Sequence, residues 1–285
     1  MQIVKAEHWE STHEEYHASP GVSNSRLSVF LDDPELYRQQ FIARTHRPER
    51  RSYYDLGTAT HEFVLLGFFT ENVVRIPDES LTSDGKRFGN AWNDFVAEHR
   101  GKILLKDKEF QQIDAMAVQV LRHPVGRNIA QAGSTEYNIR GTHQSTGMAL
   151  RCRIDVFGVD GCDWDLKTTT SVRPEVFTKS VVKYGYHRQQ YLYRELSAAH
   201  TGERRPFRFV AVRKSPPYRC DVFELDDAFD FCGEQDVEAA LCDLAMCYSA
   251  DVWHPDGWGR VHTLRAPGYL MPEVNLSIDG TMISV

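Results

Sequence analysis

Apolar and polar positions along the chain alternate between two periods, and the switches between them mark its elements. The segment EEYHASPGVSNSRLSVFLDDPELYRQQFI reads as a turn followed by a helix, with Leu27, Phe30 and Leu31 at helical spacing. Ser23 is placed to cap that helix and Pro34 to open a second one at its first turn. The stretch DLGTATHEFVLLGFF, 55–69, begins a strongly apolar helix on which Gly57 and His61 share a face. An extended piece at Val73–Ile76, a helix near Phe88–His99 and a helix over 107–132 follow, the last with Ile113, Met116, Val120 and Leu121 inward. The period then falls to two. Strands are expected from Glu136 to Arg140, over 147–158 and over 162–168, a helix over 174–200, strands at 207–214 and 218–225, and an acidic helix at 227–249. A Trp-rich stretch and an irregular tail complete the chain, and no internal repeat is present. The pattern predicts an α/β fold: a central mixed β-sheet flanked by helices.

Within the alternating region, GMALRCRIDVFGVDGCDWDLKTTT carries Asp155 and then Asp165-Leu166-Lys167, a D-x9-D-x-K spacing. Strand side chains alternate faces, so Asp165 and Lys167 point the same way. Loop length decides whether Asp155 joins them. A two-residue turn at Asp160-Gly161 would pair Asp155 with Leu166 and put the aspartates on opposite faces, because a one-residue slip flips every side chain. A three- or five-residue loop pairs Asp155 with Asp165, and this odd loop is expected. Two carboxylates and an ammonium on one face suit a divalent metal and a phosphate, the needs of a metal-dependent nuclease. The plainer reading is a solvated sheet face with one ion pair, since D-x-K is common.

Composition narrows the class. The 285 residues allow one large domain or two small ones. The start, MQIVKAEHWE, lacks a signal-peptide pattern, and the longest apolar run, Phe63–Phe69, is too short to span a bilayer. A soluble, cytoplasmic protein with no membrane partner is expected. Cys152, Cys162, Cys220, Cys232, Cys242 and Cys247 include no C-x-x-C pair, so they are expected as free structural thiols, with Cys242 and Cys247 packed on a helix. With 33 basic and 40 acidic residues the net charge is −7, which gives no global case for nucleic acid. Two basic clusters stand out locally: Arg44, Arg47, Arg50 and Arg51, and then Arg204, Arg205, Arg208, Arg213, Lys214 and Arg219. Either could be a solvated face or a DNA track.

Taken in order, EEYHASPGVSNSRL, LGTATHEFVL, the LRHPVGR–Glu136 region, GMALRCRIDVF, DWDLKTT and YGYHRQQYLY resemble the nuclease domain of the RecE-type exonucleases (exonuclease VIII, C-terminal part). These belong to the PD-(D/E)xK nuclease superfamily. The resemblance covers 13–195 and rests on the ordered combination of motifs. It implies a single nuclease domain over 1–260, with a helical part at 1–130 and the catalytic sheet and helices at 131–260, and a tail at 261–285. It also assigns roles. His61 of G-x-x-x-H would be a metal ligand, against the plainer reading of a core histidine. Glu136 would lie close to the metal or its waters. Asp155 and Asp165 would hold the metal, with the Leu166 carbonyl as a further oxygen. Lys167 would stand beside the attacking water and the scissile phosphate. Gln189 and Tyr193, four apart, would orient Lys167, the phosphate or the DNA end; the tyrosine spacing favours Gln189 over the adjacent Gln190.

The oxygen-rich ligand set favours Mg²⁺, with Mn²⁺ as a substitute. Related nucleases with an iron–sulfur cluster place cysteines differently, so no cluster is expected here. The resemblance implies 5′-to-3′ digestion from the ends of linear duplex DNA, for recombination or repair. It also implies a possible ring-shaped homo-oligomer and a single-strand annealing partner, with the arginine clusters as candidates to line the ring. Three alternatives are weighed: a structure-specific endonuclease using the same site, a catalytically silent DNA-binding module, and a zinc hydrolase. The last is weakest, because His61-Glu62 is not followed by the second histidine of H-E-x-x-H. Trp253 and Trp258 could stack on bases, although packing is the commoner role.

Overall fold

The chain enters its main sheet at once. In the computed structural model, strand β1 (Ile3–His8) pairs antiparallel with a strand that arrives much later. Helices α1 (His13–Ala18), α2 (Asn24–Asp32), α3 (Pro34–Tyr37) and α4 (Ser52–Leu66) follow. Next come β2 (Val73–Arg75), α5 (Asn90–Glu98), β3 (Ile103–Leu105) and α6 (Asp107–Arg122). The second half runs β4 (Gly133–His143), β5 (Ala149–Gly158), β6 (Asp163–Thr169), α7 (Pro174–Tyr184) and α8 (Tyr186–Thr201). It continues through β7 (Phe207–Arg213), β8 (Cys220–Phe223) and α9 (Asp227–Ala250). Strands β9 (Asn275–Ile278) and β10 (Thr281–Ser284) form an antiparallel pair. The structure describes residues 1–46, 52–131, 133–255, 257–261 and 263–266, with backbone alone at 52–54, 275–278 and 281–284.

The main sheet has the order β1-β4-β5-β6-β7-β8. Only β6 and β7 are parallel within it, and their connection is the α7–α8 crossover that parallel neighbours require. Side chains of β7 divide between two cores with period two. Phe207, Phe209 and Ala211 pack with Leu27, Phe30, Leu192, Leu196, Leu241 and Leu244 from α2, α8 and α9. Val210 and Val212 pack with Ala59, Ile113, Met116, Val120, Trp164 and Leu166, under α4 and α6. Both faces of β6 and β7 are therefore covered, which accounts for their nearly continuous burial. The chain divides into two units, Met1–Trp253, which holds this sheet and its helices, and His254–Val285. Among the described residues, no helix is long and apolar enough to cross a membrane.

Several expectations are corrected. The helix expected over 174–200 is two helices, because Gly185 adopts φ +66° and caps α7 in the left-handed region. The helix expected over 107–132 stops at Arg122, before Pro124, and a short 3₁₀ turn follows at Gly126–Ala130. Leu121, expected inward, is exposed, since it lies a third of a turn off the buried face of Ile113, Met116 and Val120. Cys242 is exposed rather than packed, whereas Cys152, Cys162 and Cys220 are buried thiols. The tail, expected to be irregular, contains β9 and β10. Trp253 is buried and stacks on Tyr37, while Trp258 is exposed.

Candidate active site

The site begins where two strands part. Between β5 and β6 only Val156↔Trp164 and Phe157↔Asp163 pair, and the Gly158 N–H donates to the Cys162 carbonyl at 3.0 Å. The hairpin loop is odd, as expected. One further step in that register sets Asp155 across from Asp165. There the ladder ends: the Leu166 N–H donates to Asp155 Oδ2 at 2.7 Å, so a side chain takes the place of a strand partner. β6 nonetheless stays paired with β7 as far as Thr169↔Arg213, which anchors the strand while its other edge opens. The edge that β5 loses is taken by the segment before α2, where Val22 bridges Leu150 and the Arg151 N–H donates to the Val22 carbonyl at 2.9 Å.

Two helices bring the remaining groups. Gly57 puts α4 beside β6, where an added Cβ would lie 3.5 Å from Thr168 Oγ1, an ordinary contact. One turn on, His61 Nδ1 sits 3.2 Å from Asp155 Oδ2. From α8, Gln189 Nε2 donates to Asp165 Oδ1 at 2.5 Å, and Lys167 Nζ stands 2.6 Å from Asp165 Oδ2. Gln189 makes this contact, whereas the adjacent Gln190 is buried elsewhere in the helix with an unpartnered Oε1. Tyr193 is buried in the α8-side core, edge-on to Phe207. Burial raises its phenol first, and Tyr16, Cys152, Asp165 and Asp155 add to that rise.

The two carboxylates are split electrostatically. Burial pushes Asp165 up to about 6, with the Asp155 charge adding and Lys167 opposing. Asp155 is also buried, but His61, Lys167 and the Leu166 N–H outweigh that cost and hold it below the usual carboxylate range. His61 and Lys167 are each raised, burial being overcome by Asp155 for the first and by Asp165 for the second. Opposed shifts in neighbouring carboxylates concentrate at functional sites, and structural ion pairs produce them too. Among the described residues no three His, Cys, Asp or Glu side chains form a ready cluster for a metal. The reason is visible in the contacts: each aspartate turns to its own cation, Asp155 to His61 and Asp165 to Lys167. The donor set still fits a hard cation. Asp165 Oδ2 is buried with no aligned hydrogen bond despite its ion pair, and both contacts of Asp155 fall on Oδ2. Oxygen donors with one imidazole suit Mg²⁺ or Mn²⁺.

Glu136 makes none of these contacts. It lies on β4 between the pairs Thr135↔Val156 and Tyr137↔Ile154, hence opposite Asp155. Its φ of +50° turns the side chain aside, and the carboxylate meets Arg153 at 3.3 Å with half its surface exposed. Leu166 is fully buried and takes part through its N–H.

Three of the cations that spacing singled out are consumed. Arg204 pairs with Glu195 and Asp230, Arg205 with the buried Asp163, and Arg208 with Glu224. Arg47, Arg50 and Arg51 lie outside the described residues. Unbalanced positive charge occurs instead upstream of Asp155 on β5. Arg151 is 1% exposed, stacks 4.3 Å from the Tyr16 ring centroid and donates to Ser19 Oγ at 2.6 Å. Among the described residues no carboxylate pairs with it, and burial, with Arg26 adding, pulls it down to about 10. Arg153 lies over the same ring, and its buried Nε and Nη1 have no partner. The signal was available in R-C-R-I-D, two arginines in strand alternation with Asp155.

A sheet parted at two aspartates and a lysine, with a histidine from one helix and a glutamine from another, defines the PD-(D/E)xK nuclease architecture. Residues 39–267 match the family described as "PDDEXK-like domain of unknown function (DUF3799)", and the chain belongs to that family. No curated protein matches it in sequence. Among solved structures, a protein from Eubacterium rectale named "Putative exonuclease" is similar, with a TM-score of 0.63 over 91% of this chain and 97% of that one at 14% identity. That likeness is one of fold.

Proposed function

We propose that the protein is a Mg²⁺-dependent exodeoxyribonuclease that hydrolyses phosphodiesters from the ends of linear duplex DNA, 5′-to-3′, in recombination or repair. The observation that carries this reading is the meeting of Asp155, Asp165 and Lys167 where β5 leaves β6, with Gln189 on Asp165 and His61 on Asp155. His61, Asp155, Asp165 and the Leu166 carbonyl would hold the cation, which when bound supplies Lewis-acid stabilisation and an acidified water. Mn²⁺ would substitute. Lys167 offers an ammonium to charge developing on the phosphate. Gln189 fixes the Asp165 carboxylate, and Tyr193 backs the same helix face. Arg151, which has no carboxylate partner among the described residues, and the Arg153 nitrogens left free beside its contact with Glu136 add positive charge near the site in a chain of net charge −7. The exonuclease name of the Eubacterium rectale protein favours cutting from ends.

The wider reading extends to a ring-shaped homo-oligomer and a single-strand annealing partner. Pairing of Arg204, Arg205 and Arg208 with carboxylates removes those three as free charges for a ring's lining. The test is Mg²⁺-dependent digestion of 5′-phosphorylated linear duplex beside covalently closed circles. Loss of the linear DNA alone is expected. Cutting of the circles would mean a structure-specific endonuclease. Intact DNA under both Mg²⁺ and Mn²⁺ would leave a catalytically silent DNA-binding module.

A further inference from the structure

Lys167 is long and flexible, and a lysine that serves one atom of a substrate must be held. Two rings lie beside its ammonium. Nζ lies 4.7 Å from the centroid of Tyr186 and 5.9 Å from that of Phe209, in addition to its contact with Asp165. We infer that Tyr186 is a positioning residue for Lys167, acting through the face of its ring. The inference rests on the nuclease reading of the same site.

The placement follows from the break between α7 and α8. Gly185 takes the left-handed conformation, so Tyr186 is the first residue of α8. Its ring packs against Phe209 at 5.7 Å, Phe177 at 6.1 Å and Tyr184 at 5.8 Å. Three residues on, Gln189 grips Asp165. Residues i and i+3 share a helix face, so one turn of α8 sets both members of the D-x-K pair. An aromatic face attracts an ammonium without accepting its hydrogens in fixed directions. N–H groups not used by Asp165 therefore stay available to a phosphate oxygen, which a second carboxylate in place of the ring would not allow.

The test compares Tyr186→Phe with Tyr186→Leu. Phe keeps the ring and loses the hydroxyl; kcat for nucleotide release is expected within about twofold of wild type. Leu removes the ring; kcat is expected to fall roughly tenfold with KM unchanged. Tyr186→Met repeats the measurement should the leucine protein fail to fold. A readout independent of activity uses reductively ¹³C-methylated protein, with the Lys167 methyl resonance assigned by its absence in Lys167→Ala. Ring-current displacement of that resonance is expected in wild type and Tyr186→Phe and is expected to shrink in Tyr186→Leu to what Phe209 alone supplies. An unchanged resonance in Tyr186→Leu, or loss of activity in Tyr186→Phe, would overturn the inference. A displaced resonance in a protein that degrades no DNA would leave the positioning intact and refute the nuclease reading instead.

Discussion

Replacing Asp163 with alanine tests how the strand that carries the site is anchored. Asp163 opens β6, two residues before Asp165, and its side chain is wholly buried. Arg205 Nε lies 3.1 Å from Oδ1, and Ser197 Oγ donates to Oδ2 at 2.8 Å. The guanidinium also donates to the Gly158 and Cys162 carbonyls and lies 3.8 Å from the Phe157 ring centroid. The pair thus ties the hairpin loop to α8 and to the start of β7. Removing the carboxylate leaves a buried cation unpaired, which costs about 3–5 kcal/mol. That is a large part of the ~5–15 kcal/mol that stabilises a typical protein. Burial pushes Asp163 up to about 6 from 3.8, against Arg205 and Ser197, so the ionised pair is held at a cost. An acid whose folded pKa exceeds its unfolded value binds its proton more tightly when folded. Its contribution to stability is complete below the unfolded value and is lost, by about 3 kcal/mol, as pH rises through about 6. The double variant Asp163→Leu/Arg205→Met removes both charges and is expected to recover most of the loss, with a flatter pH profile. Urea unfolding followed by circular dichroism measures each protein. A cost below about 1 kcal/mol for Asp163→Ala, the value of an exposed pair, would refute the reasoning.

Three further outcomes follow from the site. Gln189→Ala frees Asp165 Oδ1 and is expected to lower the single-turnover rate about tenfold or more with little change in melting temperature; an unchanged rate would count against the clamp. Gly57→Ala meets Thr168 at an ordinary contact distance and is expected to be tolerated, whereas Gly57→Leu should push α4 from β6, displace His61 and raise the Mn²⁺ concentration needed for cleavage. Arg153→Gln, which removes two partnerless nitrogens beside the Glu136 contact, is expected to weaken DNA binding and reduce the salt slope by about one, while Arg208→Gln, whose Nε is taken by Glu224, should not; fluorescence anisotropy with Lys167→Ala protein separates them.

The parts of this fold that the sequence announces are those governed by local rules. Alternation marks β4 to β6, and the parity of a loop decides whether Asp155 faces Asp165, so the hairpin and its register were legible. Gln189 could be chosen over Gln190 because a helical repeat of four links it to Tyr193. What the sequence hides depends on partners far along the chain. Arg204, Arg205 and Arg208 look like a basic track until Asp230, Asp163 and Glu224 fold onto them. Glu136 occupies the expected strand position, yet a single left-handed φ turns its carboxylate to Arg153. β1 is hidden in the sequence because its register shifts between Val4 and Glu7, and Lys5 at φ +55° breaks the alternation that identifies a strand. Gly185 did carry a usable signal, a glycine between two helical stretches, and reading it as a cap would have exposed Tyr186 at the head of α8.

The central claim is that Asp155, Asp165 and Lys167 together cleave a phosphodiester, and single-turnover cleavage tests it most directly. Wild-type protein is mixed in excess with 5′-phosphorylated duplex, started with Mg²⁺, and compared with Asp155→Asn, Asp165→Asn and Lys167→Ala. Melting curves for all four establish that each is folded. The account predicts product from wild type alone and a loss of at least about a hundredfold in every variant. Cleavage by folded Lys167→Ala and Asp165→Asn at the wild-type rate would place the chemistry elsewhere and contradict it.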